Sequence, residues 1–253
     1  MKIPLLAALQ FLTIIPVRLP RALTAREQGQ ALLCYPLIGL GMGAALAVAA
    51  LLLDSALPPL PAAALLLALW VGLTGALHLD GLADTADGWL GGQGDRRRTL
   101  SIMRDAHSGA AASVAVALLL LIKIAALSVL MASQGWLVLI AAPLAGRAAM
   151  PLLLAALPYA RVGGIGAEMA RALPVARAGQ VAALSFIGVL LLCGAQLGPV
   201  TALLAVTLPL ALLWLWSRML RARLGGTTGD TAGAALEAVE AAVLIAACVT
   251  LPG

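Results

Sequence analysis

A chain of 253 residues that is 62% hydrophobic and only 11% charged is not a soluble domain, in which about 25% of residues are charged. Its net charge of +5 does not mark a nucleic-acid surface, because the basic residues fall in alternate segments between long apolar runs. Cys34, Cys193 and Cys248 form no CxxC or Cys/His pattern that would hold zinc, and read as small buried hydrophobes.

The first apolar run, Ile3 to Val17, is short and carries Pro4, Gln10 and Pro16. It reads as an interfacial or re-entrant helix. Seven further runs follow at about 35–53, 61–79, 109–131, 136–157, 181–197, 199–217 and 233–251. Each is long enough, or nearly so, for about 30 Å of hydrocarbon at a rise of about 1.5 Å per residue. The expected fold class is all-α: one polytopic integral membrane helix bundle over 1–253, with about seven transmembrane helices plus the amino-terminal helix. Internal repeats, the signature of many transporters, are missing. Tyr35, Tyr159, Trp214 and Trp216 near one interface and Trp136 near the other read as aromatic-belt anchors.

The cations set the orientation. Lys2, Arg18, Arg21 and Arg26 precede the first span. Arg96, Arg97, Arg98 and Arg104 lie between the second and third, Arg161, Arg171 and Arg177 between the fourth and fifth, and Arg218, Arg221 and Arg223 between the sixth and seventh. The alternate loops carry no Lys or Arg. The positive-inside rule then puts the four basic segments in the cytoplasm and the C-terminus outside. Asp80, Asp84, Asp87, Asp95, Asp105, Glu168 and Asp230 come out on the cytoplasmic side as well, so the chemistry is expected there. The basic loops also suit anionic headgroups and phosphate-bearing substrates.

The densest chemical signal is His78 to Gly88 (HLDGLADTADG), where three of the eleven acidic residues fall within eight positions. In a helix Asp80, Asp84 and Asp87 stand at i, i+4 and i+7, within an arc of roughly 60°. Three carboxylates on one face repel unless a positive group sits between them, and a hard cation such as Mg²⁺ is the natural occupant. His78 points to the opposite side and is not counted as a ligand. The stretch 91–98 carries no motif.

Arg104-Asp105-Ala106-His107-Ser108-Gly109 (RDAHSG) leads into the third span. Ser108 is the expected N-cap, Asp105 a further metal ligand or base, His107 an acid or base, and Arg104 a phosphate contact. The same residues would also serve as an ordinary capped, solvated loop. Lys123 and Arg147 lie inside spans. Lys123, nearer the outer end, can snorkel, whereas Arg147 needs a partner such as Glu237 or Glu240, or a substrate phosphate. Gly225 to Asp230 (GGTTGD) precedes the last span. Gly225, Gly226, Thr228 and Gly229 are expected to let backbone N–H groups approach a phosphate, with Asp230 at the helix start and Glu237 about two turns further in. Glycine-rich turns are common in loops, so that motif alone is weak.

Taken together, HLDGLADTADG, RDAHSG, and GGTTGD followed by Glu237 resemble the cobalamin synthase family, the membrane-bound adenosylcobinamide-GDP ribazoletransferases. Ala8-Leu9-Gln10-Phe11-Leu12-Thr13 followed by Ile15-Pro16 also fits the family's opening, and the motifs run in matching order over nearly the whole chain. The resemblance implies that adenosylcobinamide-GDP meets α-ribazole or its 5′-phosphate, and that a ribose hydroxyl displaces GMP to close the nucleotide loop. It implies a divalent metal, normally Mg²⁺, and a bacterial inner membrane as the location. Partners would be the two substrates, the lipid bilayer and other nucleotide-loop enzymes, with no nucleic acid. Asp84-x-x-Asp87-Gly88 and Gly226-x-x-x-Asp230 also match parts of the CDP-alcohol phosphotransferase signature. The rest of that signature is absent, so such a phosphotransferase is the alternative enzyme. An ion-coupled transporter, the rival from another class, would place its acids near the bilayer midplane.

Overall fold

The computed structural model describes residues 2–105, 107–163, 165–249 and 251; Ala106 of the RDAHSG motif, Thr250 of the last apolar run and the C-terminal Gly253 lie outside the described residues. Eleven helices occupy these residues, and the nearest approach to a sheet is an isolated parallel bridge between Tyr159 and Thr227. In chain order they are α1 (Lys2–Leu12), α2 (Ala25–Asp54), α3 (Pro59–Thr74), α4 (Leu77–Gly91), α5 (Arg96–Ile102), α6 (Ala110–Ala132), α7 (Trp136–Ala156), α8 (Ile165–Ala172), α9 (Val175–Leu197), α10 (Pro199–Leu224) and α11 (Gly229–Cys248). The all-α expectation holds. Six helices are long and apolar enough to cross a membrane, and α3 with α4 makes a seventh if a sharply bent pair is taken as one. At 11 residues α1 is too short to cross, about 16 Å at the helical rise.

The second apolar run departs from its expected form. It does not run straight through to residue 79: α3 stops at Thr74 and α4 leaves at 87°. The corner is Gly75 and Ala76, both left-handed, at φ 58° and 59°. Gly75 adopts this freely, while Ala76 carries a cost of about 1–2 kcal/mol. Several other helices overrun the expected spans at the motif-bearing end: α2 starts at residue 25, α9 at 175 and α11 at 229, and α10 continues to 224.

Small residues close the bundle. Gly39 and Gly43, one turn apart on α2, lie against Pro143 and against Leu139 and Ile140 of α7, where a Cβ would overlap backbone. That is the close approach glycine permits between membrane helices, where dispersion and not hydrophobic expulsion holds the contact. Ala141, Ala142, Ala145, Ala148 and Ala149 of α7 are fully buried, which makes α7 a central post. Tyr35 is 1% exposed and stacked on Phe11 at 6.0 Å, so it belongs to the core and not to an aromatic belt. Trp214, by contrast, is 61% exposed.

The four basic segments meet at one end of the bundle. Arg96 donates to Leu224 O at 2.6 Å and to Ala160 O at 3.0 Å. Arg223 donates to Trp89 O at 2.6 Å, and Arg221 to Ala156 O at 3.1 Å. The opposite end is tied by Gln196, which donates to Gln134 O at 2.5 Å and accepts from Leu137 N–H at 2.6 Å.

Candidate functional site

Asp80, Asp84 and Asp87 do share one continuous helix, α4. That helix crosses α11 at two glycines. A Cβ on Gly81 would come 2.9 Å from Asp230 O, and one on Gly233 would come 3.5 Å from His78. The crossing brings Asp230 beside the acidic face, so that Asp84 feels the carboxylates of Asp230, Asp80 and Asp87 and the guanidinium of Arg161. Two motifs separated by some 140 positions thus form one site.

The three aspartates are not equivalent. Asp87 turns toward α6, accepting from Gly109 N–H at 2.5 Å and Ala112 N–H at 2.9 Å. Gly109 is the N-cap residue of α6 and has no side chain to cap with, so Asp87 caps that helix from α4. The expected cap, Ser108, does not do so. Asp84 is half-buried and Asp80 exposed. Among the described residues no three His, Cys, Asp or Glu side chains are already drawn together as a metal cage.

Arg161 is the residue that sequence reasoning missed. It pairs with Asp230 at 2.5 Å and donates to Met103 O at 3.2 Å. One guanidinium therefore joins the acidic helix, the start of the RDAHSG loop and the glycine motif. In the sequence it looks like any other loop cation; only its place beside Pro158-Tyr159-Ala160 sets it apart.

Asp105 and His107 stand in the open. His107 Nδ1 lies 2.8 Å from Asp105 Oδ1, and His107 N–H donates to the same oxygen at 3.0 Å. These bonds hold the Asp105 carboxyl below the usual carboxylate range. Arg104 is exposed beside them.

The glycine motif is more built-in than its sequence implies. Gly225 ends α10 at φ 68°. Gly226 presses on Pro158, where a Cβ would overlap the carbonyl oxygen. Thr227 N–H donates to Pro158 O at 2.9 Å, and Ala160 N–H to Thr227 O at 2.7 Å. Thr228 and Thr231 form a reciprocal cap at the start of α11. Gly229 N–H donates to the Tyr159 hydroxyl at 3.2 Å. The N–H groups of Thr227, Thr228, Gly229 and Thr231 are thus already committed, and the expected open phosphate cradle is not formed by them.

Arg147 and Glu237 sit deeper, in a buried ion network. Arg147 pairs with Glu240, and Lys123 Nζ bridges Glu237 at 2.5 Å and Glu240 at 2.6 Å. Lys123 does not snorkel; it is 2% exposed, with Nζ 4.8 Å from the centre of the Trp70 ring. Two cations and two carboxylates cancel, which is how such groups persist in a membrane interior. Gly146 leaves the space that Glu240 fills. Arg147 is fully buried, so the structure places it and Glu237 inside the bundle and not on the motif surface.

The family described as cobalamin-5-phosphate synthase matches residues 4–248. An adenosylcobinamide-GDP ribazoletransferase of Stutzerimonas stutzeri is 56% identical over 243 residues, covering 96% of each chain. Proteins of the same name from Pseudomonas aeruginosa (strain PAO1) and Ectopseudomonas mendocina are 52% and 50% identical, covering 96% of this chain and 96% and 98% of theirs. No solved structure matches. A family match over nearly the whole chain, and relatives this similar along their full length, show that the chain belongs to the cobalamin-5-phosphate synthase family.

Proposed function

We propose that this chain joins adenosylcobinamide-GDP to α-ribazole, or to its 5′-phosphate, making adenosylcobalamin or its 5′-phosphate and releasing GMP. The observation that carries the reading is the convergence of Asp84, Asp230 and Arg161 at one end of a membrane bundle, in a chain of this family. We place that end at the cytoplasmic face of a bacterial inner membrane, because all four Lys/Arg-rich segments lie there.

The donor set fits a divalent cation of the Mg²⁺ type. It is all oxygen, and three carboxylates outnumber the single guanidinium among them. Mg²⁺ takes one or two carboxylates and completes its shell with water and substrate phosphate, so a ready-made protein cage is not required. Asp84 and Asp80 would hold it, with Asp230 beside them on Arg161; Asp87 is occupied with α6. When bound, such an ion neutralises diphosphate oxygens and the charge that develops on the departing phosphate.

The protein's own groups account for the rest. A ribose hydroxyl of the acceptor attacks the phosphorus next to the cobinamide, and the bond to the GMP phosphate breaks. Arg161, fixed by Met103 O and Asp230, supplies a preorganised positive charge beside that centre. The hydroxyl proton passes to a carboxylate. Asp105, held as the anion by His107, is exposed and able to relay it to water. The bilayer orients the bundle so that polar substrates meet the site from the aqueous side.

The test is direct. The full chain, purified in detergent, is incubated with Mg²⁺, adenosylcobinamide-GDP and α-ribazole, and products are resolved by chromatography. One GMP per cobalamin formed supports the reading; no product from well-folded protein, with either acceptor, rejects it.

A further inference from the structure

Arg161 has a second side. A cavity of about 390 Å³ opens there, lined by Arg96, Arg97, Leu100, Ser101, Arg104, Ala160, Arg161 and Val162. Four of its eight lining residues are arginines, and none is acidic. Arg96 is spent on the structure, bonded to Leu224 O and Ala160 O, so it stiffens the wall. Arg161 Nε is buried with no partner among the described residues. Arg97 and Arg104 are exposed at the rim. Two acids adjoin the lining in sequence: Asp95 is turned away to cap α5 through Arg98 N–H at 2.8 Å, and Asp105, next to Arg104, is bonded to His107 at 2.8 Å.

Like charges confined to one cavity repel, and an anion placed among them removes that repulsion. Guanidinium forks match the oxygens of a phosphate better than any other side chain does. The cavity is open to water and carries four guanidinium groups, which suits a phosphate ester and not a lipid chain. Its position matters as much as its charge. Arg161 forms both the wall of this cavity and the partner of Asp230 in the acidic cluster. Adjacent phosphates of a diphosphate can lie on the two sides of one guanidinium.

We infer that the cavity of Arg97, Arg104 and Arg161 is a binding site for a nucleotide monophosphate group, separate from the acidic cluster and sharing Arg161 with it. Resting on the reaction proposed above, that group has two sources: the GMP half of the GDP-bearing substrate, or the 5′-phosphate of the acceptor. The shared chemistry is a phosphate monoester seated on two or three arginines.

The experiment uses the full chain in detergent, with binding measured by calorimetry. The probes are GMP, α-ribazole 5′-phosphate, and guanosine and α-ribazole as forms lacking the phosphate. The variants are Arg97→Gln/Arg104→Gln and, to keep charge but lose the fork, Arg97→Lys/Arg104→Lys; Arg218→Gln, outside the cavity, controls for net charge. The Gln pair is expected to weaken one phosphate probe by about tenfold or more. The Lys pair should fall between, Arg218→Gln should match the parent, and guanosine and α-ribazole should be indifferent. Loss confined to GMP, with a raised KM for adenosylcobinamide-GDP whichever acceptor is used, assigns the cavity to the departing nucleotide. Loss confined to α-ribazole 5′-phosphate, with the KM of unphosphorylated α-ribazole unchanged, assigns it to the acceptor. Parent-like binding of both phosphates by the Gln pair overturns the inference even if turnover is seen. Weakened binding without any turnover by the parent would leave the cavity standing and reject the reaction instead.

Discussion

Arg161 and Asp230 are bonded at 2.5 Å, and the same guanidinium reaches the Met103 carbonyl. This joins three motifs far apart in sequence, so Arg161→Met should do more than remove a charge. It releases the Asp230 carboxylate into a cluster already rich in like charge and frees the loop that carries Asp105. We expect kcat to fall about 10²- to 10³-fold, the range for losing one preorganised donor. Arg161→Lys should recover part of it. Steady-state kinetics on detergent-purified protein give the answer; a parental kcat for the Met variant would remove Arg161 from the site.

The aspartates of α4 should separate by assay. Asp87 caps α6, so Asp87→Ala is expected to lower thermal stability by about 1–2 kcal/mol. Asp84 makes no such bond, and its neighbours Asp80, Asp87 and Asp230 repel it. Asp84→Asn should therefore melt at or slightly above the parental temperature while losing turnover. Melts and rates on the two variants check both halves; a destabilised Asp84→Asn would mean that its carboxylate is structural.

Two positions of the glycine-rich contacts should fail by packing and not by chemistry. A Cβ on Gly226 overlaps Pro158 O, and one on Gly81 meets Asp230 O at 2.9 Å. Gly226→Val and Gly81→Leu are expected to lose folded yield, seen as loss of the monodisperse peak in size exclusion. Asp230→Asn should keep that peak and lose rate. A folded, active Gly226→Val would mean that the Pro158–Thr227 pairing is dispensable.

The buried network makes an independent forecast. Lys123→Met leaves Glu237 without its cation and Glu240 with only Arg147, at a cost of about 3–5 kcal/mol. Adding Glu237→Gln removes one uncompensated charge, and the pair should recover much of the loss. A double-mutant cycle on thermal or denaturant unfolding measures the coupling, and additive losses would show the ions to be independent.

Much of the architecture is legible in residue order, because membrane helices must be long and apolar and their basic loops must share a side. The common face of Asp80 and Asp84 follows from helical spacing alone. Other features are set by partners that no local pattern names. The corner at Gly75 and Ala76 sits inside an unbroken apolar run, so only the tertiary path of α4 reveals it. Asp87 finds its N–H groups 22 and 25 residues away. Lys123 looks able to snorkel until Glu237 and Glu240 are seen 114 and 117 positions on. The glycine motif reads as a phosphate loop because Gly-rich turns do, yet Tyr159, Pro158 and its own threonines take up its N–H groups. Gly39 and Gly43 stand at the spacing that packs membrane helices, but in a chain with 26 glycines that spacing does not single them out.

The central claim is metal-assisted phosphoryl transfer at the α4–α11 crossing. It is tested most directly by following GMP release from adenosylcobinamide-GDP in the parent and in Asp84→Asn, with Mg²⁺ present, chelated and restored. The account predicts that the parent releases GMP, stops on chelation and resumes on restoration, while Asp84→Asn stays silent throughout although folded. Undiminished release by the parent under full chelation, or a parental rate for Asp84→Asn, would contradict it.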